Sequence, residues 1–187
     1  MLLFKWKLWV RLFCRSLPSI WHVYELEKLS MKIDLSQIMA DIETCFGSRD
    51  VPDYHQLSNR LKSSCEQSVM LFLLERFWVH LDTDVNVDRS HVLFLSDSVG
   101  PSPKYKLMIS AVGPYVSLFP VKIWADGTRE IGHALCLREI EDCIATRPLI
   151  KMFENAALTL LSDEHLNISV RFEGVESNLY NVLFSEY

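Results

Sequence analysis

Apolar side chains recur at helical spacing from Leu35 to Phe72, alternate between His91 and Leu137, and return to helical spacing from Ile140. A chain that groups its strands in the middle, with helices before and after, reads as an α+β fold. The expected architecture is an antiparallel β-meander of about five strands packed against a helical layer, with one long central helix.

The helices carry their own punctuation. Asp34 with Gln37 forms a capping-box start, Leu35, Ile38, Met39, Ile42 and Cys45 recur behind it, and Gly47 supplies the stop, which predicts a helix over 35–46. Asp53 with Gln56 repeats the start, and Leu57, Leu61, Cys65, Val69 and Phe72 follow on one face. This is the longest predicted helix, 54–79. The run Val69–Leu74 is apolar all round, so that half should be enclosed and central. Replacing Leu61 or Phe72 by Ala is expected to cost roughly 2–5 kcal/mol.

Strands are expected at 91–96, 105–112, 115–124 and 131–137, with Gly113-Pro114 and Asp126-Gly127 as turns between them. Ile140 and Ile144 suggest a short helix. Pro148 is placed as the first residue of another, whose buried face would be Leu149, Phe153, Ala156, Ala157 and Leu160. A fifth strand is expected over 166–172, and Leu179, Val182 and Leu183 suggest a final helical turn or two.

Charge divides the chain differently. Residues 1–30 hold Lys5, Lys7, Arg11, Arg15 and Lys28 against Glu25 and Glu27, with Trp6, Trp9 and Trp21 among Leu and Phe. The rest keeps 14 of the 19 basic residues and 22 of the 24 acidic ones, a balance of −8 with His neutral. The expected organisation is therefore a basic, aromatic-rich leader over 1–30 and a single globular domain over 31–187. Charges at 5, 7, 11 and 15 interrupt any signal-peptide core or membrane span, which would need about 20 largely apolar residues. An amphipathic helix over residues 1–15 lying on a membrane surface fits better, because Lys7, Arg11 and Arg15 share one helical face. The cation-rich, acid-poor stretch also has the flavour of an organelle transit peptide. The preferred reading is that translation begins at Met31.

An acidic body disfavours nucleic acid, whose phosphates require clustered Lys and Arg. It suits solubility, or a basic protein partner met with electrostatic steering. Five widely spaced cysteines without CxxC read as free thiols in a reducing cytoplasm.

Candidate chemistry is sparse. The stretch Asp82-Thr-Asp84-Val-Asn86-Val-Asp88 begins like a calcium loop, but Val87 stands where the turn needs Gly and Leu93 where the bidentate Glu should be. It reads as a solvated connection between helix and strand, or as an acidic docking loop. His80, Asp82 and Asp84 could supply a metal-dependent hydrolase. His133 and Cys136 lie three apart on an expected strand, and so on opposite faces. Ser96-Asp97-Ser98-Val99-Gly100 lacks the nucleophile-elbow pattern, and no phosphate loop is present. Aromatic rings near element ends suit interfaces, and Trp78 among them is assigned to packing. The chain therefore reads as a non-catalytic protein-binding domain needing no cofactor, of the inhibitor or immunity type, that neutralises a basic toxin or nuclease. Its expected partner-binding residues are Asp82, Asp84, Asp88, Tyr115, Trp124, Glu173, Glu176 and Tyr180.

Overall fold

The computed structural model describes residues 33–62, 67–84, 88–96 and 102–184. The leader 1–30 and the amphipathic helix expected over 1–15 lie outside them. From Asp34 onward the chain gathers into one unit.

Its centre is a mostly antiparallel sheet. Strands β1 (Trp78–Leu81), β2 (Ser90–Ser96), β3 (Tyr105–Ser110), β4 (Tyr115–Ile123) and β5 (Arg129–Ile131) follow one another in chain order. A two-residue strand, β6 (Thr159–Leu160), lies parallel to the start of β4, with Tyr115 opposite Thr159. Strands β2 and β3 are buried on both faces, so they alternate between two kinds of apolar or small residue, not between apolar and polar.

Helices α1 (Leu35–Phe46), α2 (His55–Lys62) and α3 (Gln67–Leu74) precede the meander. The helices α4 (Leu137–Asp142), α5 (Arg147–Asn155), α6 (Asp163–Leu166) and α7 (Leu179–Leu183) follow it. One face of the sheet, with Leu93, Leu95, Leu107, Ile109, Val116 and Leu118, packs on Val69 and Leu73 of α3, Ile140 of α4, and Leu149, Met152 and Phe153 of α5.

Small polar residues line part of the opposite face, and they let α7 approach closely. Ser90 and Ser110 are cross-strand partners. Their hydroxyls donate to the carbonyls of Phe184 and Leu183 at 3.2 and 2.9 Å. These are carbonyls at the helix end that lack intrahelical partners, so the serines satisfy both sides at once. The Ser117 hydroxyl donates to the carbonyl of Leu161, just past β6, at 2.9 Å. Strands β7 (Ser169–Phe172) and β8 (Val175–Asn178) form a separate hairpin. Its turn places Glu173 and Gly174 at φ 55° and 75°, and Phe172 packs edge-on against Phe46 of α1 at 5.1 Å.

Several expectations need correction. No helix spans 54–79: α3 ends at Leu74, where Phe77 N–H bonds back to Leu73, and Trp78–Leu81 is strand β1. The β-rich sequence Trp-Val-His-Leu finds pairing partners on β2, and that pairing overrides the helical spacing. The apolar half of that helix is not enclosed, since Leu71 and Leu74 are exposed. The stretch 82–88 therefore links two strands, not a helix and a strand. Strand 131–137 shrinks to Arg129–Ile131, and Leu137 opens α4 instead. Ile144 falls outside α4 and is exposed. Helix α5 stops at Asn155, because Ala157 turns to φ 52° and Leu160 enters β6. The fifth strand of the meander is β1, while the segment expected as the fifth strand belongs to α6 and the β7–β8 hairpin.

Candidate functional site

Strand β1 is a terminal strand of the sheet among the described residues. Asp82 N–H bonds to Val92 O at 2.8 Å, so in the antiparallel alternation Trp78 and His80 also turn their backbone groups toward β2. The N–H and C=O of Val79 and Leu81 then point outward. Trp78 is 66% exposed and Leu81 55%, which reverses the packing role expected for Trp78.

The side chains of β1 divide between the two faces of the sheet. Val79 and Leu81 stand beside Leu95 and Leu93 on the α3 side, while Trp78 and His80 stand beside Ser96 and Phe94 on the other. Phe94 is in turn the cross-strand partner of Lys106. Over this row lies Arg129 of β5, its guanidinium carbon 4.9 Å from the centre of the Phe94 ring. Strand β5 sits three places from β2 in the sheet order, so the β4–β5 arm must curl back across the face for that contact to form. The result is a cleft of about 390 Å³ lined by Trp78, Val79, His80, Phe94, Ser96, Pro103 and Arg129.

The residues expected from sequence fall in four places. Asp82 and Asp88 converge with Tyr180 on a smaller cavity of about 250 Å³, which Lys106, Met108 and Phe184 also line. Asp82 is exposed and lies 3.8 Å from His80 Nε2. Asp88, by contrast, is 4% exposed and its carboxylate accepts from the Asp84 N–H at 2.6 Å. It holds the β1–β2 connection together and is not displayed on the surface. Tyr180 packs edge-on against Phe119 at 6.1 Å, with its hydroxyl toward the Met108 sulfur. Glu173 and Glu176 sit on the β7–β8 hairpin: Glu173 accepts from the Tyr54 hydroxyl, and Glu176 is the cross-strand partner of Arg171.

The remaining two stand apart from these groups. Tyr115 is buried, with its hydroxyl donating to Asp41. Burial raises its phenol well above the usual tyrosine range, and the bond to Asp41 adds to the effect. Trp124 is at the tip of the β4–β5 arm, where its indole N–H donates to Glu130 at 3.0 Å and Lys122 Nζ lies 3.5 Å over its ring.

Among the described residues no three His, Cys, Asp or Glu side chains gather as a metal-holding group, so Asp84 does not complete one with His80 and Asp82. His133 and Cys136 do not pair either. The His133 ring bonds to Glu139 at 3.0 Å, which raises its pKa, while Glu139 also accepts from the Cys136 N–H at the start of α4. One thiol is chemically distinct. Cys143, between α4 and α5, lies 3.3 Å from the Tyr105 hydroxyl, and hydrogen bonds from Tyr105 and then Thr146 lower it to about 7. Cys45, Cys136 and Cys143 are all free.

Sequence reasoning missed the cleft. Phe94 and Arg129 are far apart in the chain, and only the curl of the sheet joins them. No described helix is long and apolar enough to cross a membrane. No protein-family model, curated protein or solved structure matches this chain.

Proposed function

We propose that this chain is a non-catalytic protein-binding domain that docks its partner along β1 and the acidic residues just beyond it. The observation that supports this reading is the character of that edge. Folded proteins shield terminal strands with charge, proline or a covering element, because open N–H and C=O groups template pairing with another chain. Here Val79 and Leu81 direct those groups outward between two exposed apolar side chains, Trp78 and Leu81. A partner strand added to β1 would gain main-chain hydrogen bonds together with apolar contact.

Asp82 and Asp84, both exposed, continue from the end of that strand, and the body carries a balance of −8. The partner is accordingly basic, and the sharpest version is an inhibitor or immunity-type protein that neutralises a basic toxin or nuclease in the cytoplasm. Free thiols at Cys45, Cys136 and Cys143 suit a reducing compartment.

The test is co-expression of the full chain with the product of the adjacent reading frame, followed by gel filtration and an affinity measurement. Val79→Pro removes an outward N–H without touching the β1–β2 ladder, and Asp82→Lys with Asp84→Lys reverses the local charge. Each should weaken the complex tenfold or more, the second with a reduced dependence on salt. A complex indifferent to both changes, or no complex at all, overturns the reading.

A further inference from the structure

The cleft between β1 and the curled β5 arm has a chemistry unlike the rest of the body. Among the described residues its lining contains no Asp or Glu, although the domain around it is acidic. Its apolar part is Trp78, Phe94 and Pro103, with the Trp78 ring two-thirds exposed beside it. Its cationic part is Arg129, stacked at 4.9 Å on Phe94, while Lys106, the cross-strand partner of Phe94, lines the neighbouring cavity. Arg129 has no ion-pair partner among the described residues. Stacking on Phe94 holds the guanidinium in place while leaving its N–H fork able to meet a planar anion. Asp82 lies 3.8 Å from His80 Nε2 and lines the neighbouring cavity.

We propose that this cleft is a binding site for a carboxylate carried on an aromatic body, the carboxylate on Arg129 and the ring between Trp78 and Pro103. A carboxylate matches the two-toothed geometry of one guanidinium. A bare phosphate would leave the apolar part unfilled, whereas an aromatic ring uses it. About 390 Å³ is room for one such group and not for a folded segment. Two sources share this chemistry, a free aromatic acid and the C-terminal residue of a polypeptide. The proposal does not rest on the β1 docking reading: Trp78 contributes to both, but Arg129 and Phe94 belong to the face of the sheet and not to its outer edge.

The experiment uses the full chain and small probes, so no partner has to be known. The indole N–H of Trp78, assigned with Trp78→Phe, and the side-chain N–H of Arg129 are followed by NMR during titration with N-acetyl-phenylalanine. A matched titration uses N-acetyl-phenylalaninamide, which differs only in lacking the charge. The acid should shift both signals to saturation, and the amide should bind at least tenfold more weakly. Arg129→Gln, at an exposed position, should reduce the acid to the level of the amide.

A short peptide ending in Phe with a free C-terminus, compared with its amidated form, separates the sources. Saturation by the free-ended peptide alone, with no response to the acid, assigns the site to a chain end and supports the proposal. Equal binding of acid and amide, an undiminished response in Arg129→Gln, or the same shifts from inorganic phosphate would overturn it.

Discussion

Tyr115 donates its hydroxyl to the Asp41 carboxylate, and this bond ties helix α1 to the first residue of β4 across 74 positions of sequence. Gly113 makes room for it. A Cβ there would stand 2.6 Å from the Tyr115 ring and 3.2 Å from the Asp41 oxygen. Tyr115→Phe should therefore lower stability by about 1–2 kcal/mol, and Gly113→Ala by about 1–3 kcal/mol. The double variant should cost less than the sum, because both changes break one contact. Urea denaturation of the four proteins measures this.

The same bond has a spectroscopic consequence. Burial and the neighbouring carboxylate both oppose ionisation of Tyr115, so its phenol should deprotonate well above the ordinary tyrosine range. Absorbance at alkaline pH should show this late-titrating tyrosine, and Asp41→Asn should bring it toward lower pH.

Adjacent residues of α3 should differ sharply. Leu73 is fully buried against the sheet, whereas Leu74 is 58% exposed. Leu73→Ala should cost roughly 2–5 kcal/mol, and Leu74→Ala no more than about 0.5 kcal/mol. Phe72 is only half-buried and lies beneath the Arg76 guanidinium at 3.9 Å, so its truncation should fall below the cost expected from sequence. Thermal or urea midpoints check all three.

Burial lowers the pKa of His91 below its ordinary value, so the unfolded chain binds a proton more readily than the folded one. Stability should then fall as pH drops through about 6.5, the unperturbed value. It should stop falling once pH lies below the folded pKa. His91→Gln should flatten that dependence between neutral and acidic pH, as read from urea midpoints.

Cys143 should alkylate faster than an ordinary thiol at neutral pH, with a rate that rises through about pH 7 as the thiolate forms. Tyr105→Phe removes the largest cause of the lowered value and should move the profile toward higher pH. Mass spectrometry after timed iodoacetamide treatment reads the rate at this residue alone. Cys45, buried and pushed the opposite way, should stay unmodified in the folded protein.

How much of this was legible in advance depends on the range of the interaction that fixes each element. Helix α1 was written locally: Asp34 accepts from the Ser36 and Gln37 amides at 2.9 and 3.4 Å, and Gly47 closes the helix at φ 72°. The strands on either side of Gly113-Pro114 were equally local, because the turn residues mark them without help from distant chain, whereas the strand expected at 131–137 beyond Asp126-Gly127 is cut to Arg129–Ile131. Trp78–Leu81 was not. Its apolar spacing suits a helix or a strand, and the choice fell to pairing with β2, which no local pattern encodes. Leu160 is the same case, drawn into parallel pairing with Val116 of β4.

The candidate site shows the division most clearly. Sequence alone determined that the body is acidic, that its middle is a meander, and that Asp82 and Asp84 are on the surface. Tertiary structure decided that Asp88 is turned inward, that Trp78 stands in the open, and that Arg129 lies over Phe94. The reason is physical: composition and periodicity fix which residues seek burial, but the curl of a sheet and the pairing of its edges decide which distant residues share one surface.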